Sequence, residues 1–144
     1  MSELIDPKRM SVKSAYRLWT DERVRNTDTD MQRHVSNSVY AVYFEIGRGA
    51  MAPVLAMRPP GSYSIVARQV IHYHAELVYP ATIRIGVAIA RIGTRSYDVA
   101  HAVFDGDRCV ASGEVAQVLF DSATSRSLVL PENFRNALAE YLLP

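Results

Sequence analysis

The stretch "TDTDMQRHVSNSVYAVYFEIGR", residues 27–48, changes character halfway along. Its first half is built from Asp, Thr, Ser, Asn and His, the residues of loops and turns. Its second half carries Val39, Tyr40, Val42, Tyr43, Phe44 and Ile46, and Ala50 and Met51 follow. At helical spacing those positions go nearly all the way round, which predicts a buried helix rather than a surface one. The helix is expected over residues 37–57, ending before Pro59-Pro60-Gly61, a strong breaker. Ser36 or Asn37 can cap its start, since either side chain can accept from an unpaired first-turn amide. Glu45 and Arg48 are spaced as an i,i+3 ion pair.

Outside this segment the period is two. Tyr16, Leu18, Trp19 and Val24 suggest a strand over residues 16–25, preceded by a polar, loosely held tail over residues 1–15. Downstream, residues 65–77, 82–92, 96–104 and 109–120 alternate as strands. Gly93-Thr94 and Asp105-Gly106-Asp107 supply turns. A short amphipathic helix is expected over residues 131–142. The order is strand, long helix, then four antiparallel strands in a meander. One apolar helix needs a curved sheet to cover it, so an α+β hot-dog arrangement is expected: five strands on a central helix, in one domain over residues 16–144. Such a sheet leaves edge strands and covers the helix incompletely, so a homodimer or homotetramer is expected.

Composition narrows the classes. The 144 residues are 49% apolar and 22% charged with a net charge of +1. That excludes the large basic field of nucleic-acid binding. No apolar run reaches spanning length, and no signal-peptide core is visible. The lone Cys109 has no internal partner, which fits a reducing cytoplasmic setting. His72, His74 and His101 lie on different strands without metal-site spacing, so no metal is expected. There is no Gly-rich phosphate loop, Ser nucleophile elbow or Cys-His pair, so no cofactor is expected either.

The stretch "RVRNTDTDMQRHVSNSVYAVYFEIGR" resembles the hot-dog acyl-CoA thioesterases of the 4-hydroxybenzoyl-CoA thioesterase type, which include the long-chain acyl-CoA and tol-pal-associated enzymes. Thr29, Asp30, His34, Val35, Asn37, Tyr40, Tyr43, Phe44, Glu45 and Arg48 fall in register with that family's pattern. Gly93, Ser96 and the hairpin after Phe104 match its second half. Arg33 replaces the family's Gly, Ser36 its first Asn, and Tyr79-Pro80-Ala81 a Gly near the third strand. If that Gly holds a positive φ, arginine there is strained.

The resemblance implies hydrolysis of an acyl-CoA to the free acid and CoA, with an acyl-carrier-protein thioester as the alternative carrier. A non-enzymatic alternative is an acyl-CoA-binding or scaffold dimer. Asp30 is the implied catalyst, attacking the carbonyl directly or activating a water. Read from the isolated motif alone, it could equally be a simple Asx-turn residue; the resemblance favours the catalyst. The backbone N–H of Asn37, at the positive end of the helix, is the implied oxyanion donor. His34 and Ser36 support the loop, with His34 a hydrogen-bonder before a base. Tyr40, one turn in, and Arg33 are the candidates for touching substrate. Asp28 reads as a loop carboxylate. Arg68, Arg91 and Arg95 are candidates for the CoA phosphates.

Overall fold

The computed structural model describes residues 3–144. Six strands form one antiparallel sheet: β1 (Leu18–Arg23), β2 (Ser62–Tyr73), β3 (Thr82–Ile92), β4 (Ser96–Asp105), β5 (Arg108–Asp121) and the two-residue β6 (Arg126–Ser127). The order is β1-β3-β4-β5-β2, with β6 also on β5. Register shifts at Val66/Arg68, Ile89/Arg91 and Val103/Phe104 interrupt three ladders, and such irregularities sharpen local twist.

The expected four-strand meander is corrected here. Only β3, β4 and β5 follow one another, while β2 lies beyond β5 as an edge strand. The chain after β2 has no tight-turn sequence to fold it back onto β3. Instead it is stitched to the loop after β1: Val35 N–H donates to Leu77 O (2.8 Å), Tyr79 N–H to Arg33 O (3.2 Å) and Val24 N–H to Ala81 O (2.9 Å).

The single long helix also resolves into pieces. Helix α2 (Val39–Gly47) passes into a 3-10 turn (Arg48–Met51) and then a one-turn α3 (Ala52–Leu55). Pro53 explains the break, because it lacks an N–H for the carbonyl of Gly49 and its ring crowds that turn. Neither Ser36 nor Asn37 caps α2 with its side chain; Ser38 stands at the N-cap without a side-chain bond. Val39 N–H instead reaches back to Ser36 O (3.0 Å).

Tyr40, Tyr43, Phe44 and Gly47 of α2 turn into the concave face, against Ile83, Ile85, Val103, Ala111 and Val115. The contact is close at Gly113: a Cβ there would collide with Val70 O and lie 2.6 Å from Phe44 Cε2. The opposite side of α2 is open, with Val42 44% exposed and Glu45 and Gly49 exposed beside it. Glu45 therefore does not close on Arg48, which instead meets His101 Nε2 at 3.2 Å. Helix α4 (Glu132–Ala139) seals the far end, placing Phe134 and Leu138 against Met51, Val54, Tyr97 and Leu119.

The expected loose tail is docked where it is described. Helix α1 (Pro7–Met10) and a 3-10 turn (Lys13–Ala15) lie on the other face of the sheet. Met10 is fully buried with Tyr16, Ala100, Ala102 and Phe104, and Ile5 N–H donates to Glu114 Oε2 (2.8 Å). That face is paved with alanines, whose small side chains leave room for a covering layer.

Candidate active site

Four consecutive structures set the site: the end of β1, a 3-10 turn (Asn26–Asp28), a tight hairpin, and the start of α2. Asp28 anchors them. It is 9% exposed, and its Oδ2 accepts from Arg25 N–H (2.9 Å) and from the Tyr43 hydroxyl (2.9 Å). Its carbonyl accepts from Ser36 N–H (3.0 Å). Burial, and then the bond to Asp28, raise the Tyr43 phenol well above its usual range, so Tyr43 stays a donor.

The hairpin follows at once. Thr29 and Val35 face each other across an antiparallel bridge. Asp30 N–H donates to His34 O (2.9 Å) and Arg33 N–H to Asp30 O (3.0 Å). Asp30 Oδ1 accepts from the amides of Gln32 (2.8 Å) and His34 (3.3 Å). This is an Asx turn, but one that occupies a single carboxylate oxygen. Oδ2 accepts no bond among the described residues. Arg33 closes the turn at φ 66°, the conformation in which glycine is at ease and other residues are strained. Its guanidinium lies 6.0 Å from the centre of the Tyr79 ring.

Asp30, His34, Asn37 and Tyr40 line one cavity of about 410 Å³, together with Tyr73, His74 and Glu76. Asn37 N–H has no acceptor among the described residues, while Asn37 O accepts from the Tyr73 hydroxyl (3.0 Å). Tyr40 is buried edge-on between Tyr43 and Tyr73, at centroid distances of 5.9 and 5.2 Å. Its phenol is pushed up to about 12, chiefly by burial. His34 Nε2 stands 3.4 Å from Glu76 Oε2. Burial and the neighbouring His72 hold the His74 imidazole below its usual range, and its Nε2 lies 2.8 Å from Ser112 Oγ.

The other candidates lie elsewhere. Ser36 braces the loop through its backbone, and Arg33 does not line the cavity. Arg68 Nη2 reaches Glu114 Oε1 (2.7 Å), Arg91 Nε reaches Asp98 Oδ2 (2.9 Å), and Arg95 Nη1 donates to Ser127 O (2.7 Å). Arg91 and Arg95 flank the β3–β4 turn, at the opposite end of the sheet from the cavity. Sequence reasoning missed Tyr73, His74 and Glu76 as cavity walls, because they come from the end of β2 and the segment just after it, which is brought in by bonds to the loop after β1.

His101 is fully buried, stacked on Phe44 at 4.5 Å. Burial and then Arg48 hold its titration well below the usual range. Neutral His101 therefore accepts at Nε2 from Arg48. Among the described residues, no group of three or more His, Cys, Asp or Glu converges as a metal site. No described helix is long and apolar enough to cross a membrane.

A curled antiparallel sheet around a central helix, with a polar hairpin leading into that helix and a cavity at their junction, defines a hot-dog α+β protein. Within that class the chain belongs to the thioesterase-like superfamily, whose family model matches residues 24–138. Solved structures share the fold. One is a predicted thioesterase from Bacillus stearothermophilus, 23% identical over 88% of this chain and 98% of its own, with TM-score 0.80. Another is the DHNA-CoA thioesterase of Staphylococcus aureus, 17% identical over 85% and 89%, TM-score 0.76. A third is the protein SAV2348 of Staphylococcus aureus in complex with CoA, 16% identical over 88% and 84%, TM-score 0.76. No curated protein matches the chain in sequence. Family membership supports acyl-thioester hydrolysis as the general chemistry.

Proposed function

We propose that the protein is an acyl-CoA thioesterase, with Asp30 as the catalytic carboxylate and the Asn37 amide as oxyanion donor. The observation that carries this is the shared cavity: it is lined by a carboxylate with one oxygen unoccupied and by a residue whose N–H has no protein acceptor. A thioester carbonyl placed there meets both needs of acyl transfer. Asp30 Oδ2 either attacks the carbonyl carbon, expelling the CoA thiolate and leaving a mixed anhydride for water, or takes a proton from an attacking water. On either route negative charge collects on the carbonyl oxygen, where the Asn37 amide and the positive end of α2 can receive it. The route uses only protein groups and water.

Tyr40 and Tyr73 give the acyl group aromatic walls. His34, tied to Glu76, holds the hairpin. Arg33 is turned onto Tyr79 and leaves the cavity open, which favours an enzyme over a closed scaffold. The open stripe of α2 and the exposed Tyr63, Ile65 and Val66 on edge strand β2 support pairing with a second copy, and the unpaired Cys109 fits a cytoplasmic setting. The test is thiol release from a panel of acyl-CoA and acyl-carrier-protein thioesters. Release from acyl-CoA is expected; faster turnover on the carrier protein moves the assignment to that substrate. No release from any thioester removes the hydrolase reading.

A further inference from the structure

We propose that the phosphates of CoA lie in a second groove beside the cavity, held by Arg23, Arg25 and Arg33. The proposal rests on the acyl-CoA reading and gives it a place for the carrier's anionic end. The groove, of about 710 Å³, is walled by residues 22–26 on one side and 79–82 on the other. Its walls share no residue with the cavity's but stand next to them along the chain. The cavity wall runs to Leu77 and the groove wall begins at Tyr79; opposite them, the groove ends at Asn26 and the cavity begins at Asp30.

These arginines have charge available to a ligand, as most of the strand arginines do not. Arg68, Arg84, Arg91 and Arg108 are each within 3.3 Å of a carboxylate oxygen. The Arg23 guanidinium has no acceptor among the described residues. Arg33 touches only the Tyr79 ring, which itself lines the groove. Arg25 Nε lies 3.7 Å from Asp28 Oδ2 with its side chain 57% exposed, a loose pairing that leaves donors over. One acid, Glu22, shares the wall, with Oε1 accepting from Arg23 N–H (2.8 Å). Guanidinium forks suit phosphate oxygens, which take two parallel N–H bonds. An acyl arm entering the cavity from this side would leave its nucleotide end over the groove. Arg91 and Arg95 lie at the far end of the sheet from this groove.

The test is calorimetric titration of the full protein with free CoA and with pantetheine at fixed salt, for wild type, Arg23→Ala, Arg33→Gly and Arg95→Ala. Arg23 is exposed, and glycine accepts the φ of residue 33, so folding is not at risk. Loss of one charged contact is expected to weaken CoA binding about tenfold in Arg23→Ala and Arg33→Gly. Pantetheine binding and the Arg95→Ala protein should match wild type, and KM for acyl-CoA should rise while kcat holds. Unchanged CoA affinity in both groove variants overturns the proposal, as does a loss confined to Arg95→Ala. Wild type that binds CoA through these arginines yet hydrolyses nothing keeps the groove and removes only the enzyme. Wild type that binds no CoA removes the groove too.

Discussion

Replacing Asp30 separates its chemical role from its structural one. Oδ1 holds the Gln32 and His34 amides, and Oδ2, without a protein partner, is the atom proposed to act on the thioester. Asp30→Asn keeps an oxygen for the amides and gives up the negative charge. Charge-assisted bonds are about twice as strong as neutral ones, so on this exposed turn the loss is at most ~1 kcal/mol of stability. Asp30→Ala gives up both amide bonds, for ~1–2 kcal/mol. Either variant removes the proposed base or nucleophile, for an expected loss of roughly 10²–10⁴ in kcat. The two variants should therefore differ in melting temperature and agree in activity. Thiol release at 25 °C, with melting followed on the same samples, reads both. Asp30→Asn within tenfold of wild-type kcat/KM would show that the carboxylate takes no part in the chemistry. Activity falling in step with stability, small for Asn and large for Ala, would reduce Asp30 to a turn residue.

The fold carries sharper predictions. Gly113→Ala puts a methyl into Val70 O and the Phe44 ring; overpacking of that kind costs ~1–3 kcal/mol, so the melting temperature should fall by several degrees. Gly49→Ala, with nothing within 4 Å of the added atom, should be neutral or slightly stabilising, and equal effects in the two would contradict the packing described. Tyr43→Phe strips a hydroxyl from the buried Asp28 carboxylate and should cost ~1–3 kcal/mol by denaturant titration; no change would mean that Asp28 is held well enough by Arg25 alone. In alkali, burial keeps Tyr40 protonated to about 12 against an ordinary value of 10.0, and Tyr16, Tyr43 and Tyr97 are raised as well. Their folded values lie above the unfolded ones, so this stability is whole below about pH 10 and drains away as pH climbs through 12 and beyond. A urea midpoint that stays level to pH 12 would contradict that burial.

Much of this was legible in the sequence because it is local. Period-two alternation placed β3 at its observed bounds and the other long strands within a few residues. The cavity's first wall was legible for the same reason: Asp30, His34, Asn37 and Tyr40 lie within one hairpin and one helical turn. What failed was non-local. Nothing in residues 62–73 says that their partner is β5 rather than β3, and so the Tyr73, His74 and Glu76 wall stayed hidden. The partners of Arg68 and Arg91 are buried acids on neighbouring strands, visible only once the register is known. Met10 and Tyr16 are too sparse to announce a docked segment. The break at Pro53 is different: it stands in the sequence, outweighed by the apolar run around it.

The alternation Thr27-Asp28-Thr29-Asp30 is the simplest account of why polar chemistry stands directly before the most apolar helix. Two carboxylates two residues apart meet opposite fates. Asp28 turns inward and is fixed to the helix it precedes through Tyr43, one of that helix's fully buried residues. Asp30 turns outward, exposed, on a hairpin closed by its own Oδ1. The inner acid is costly to bury unless its bonds are made, so the loop has little freedom to drift while Tyr43 and the Arg25 amide hold it. The outer acid inherits that rigidity. A carboxylate on a free loop would lose most of its effectiveness to misorientation, since catalysis of this kind depends on the reacting groups being held in place. Burying one acid is what lets the other be presented.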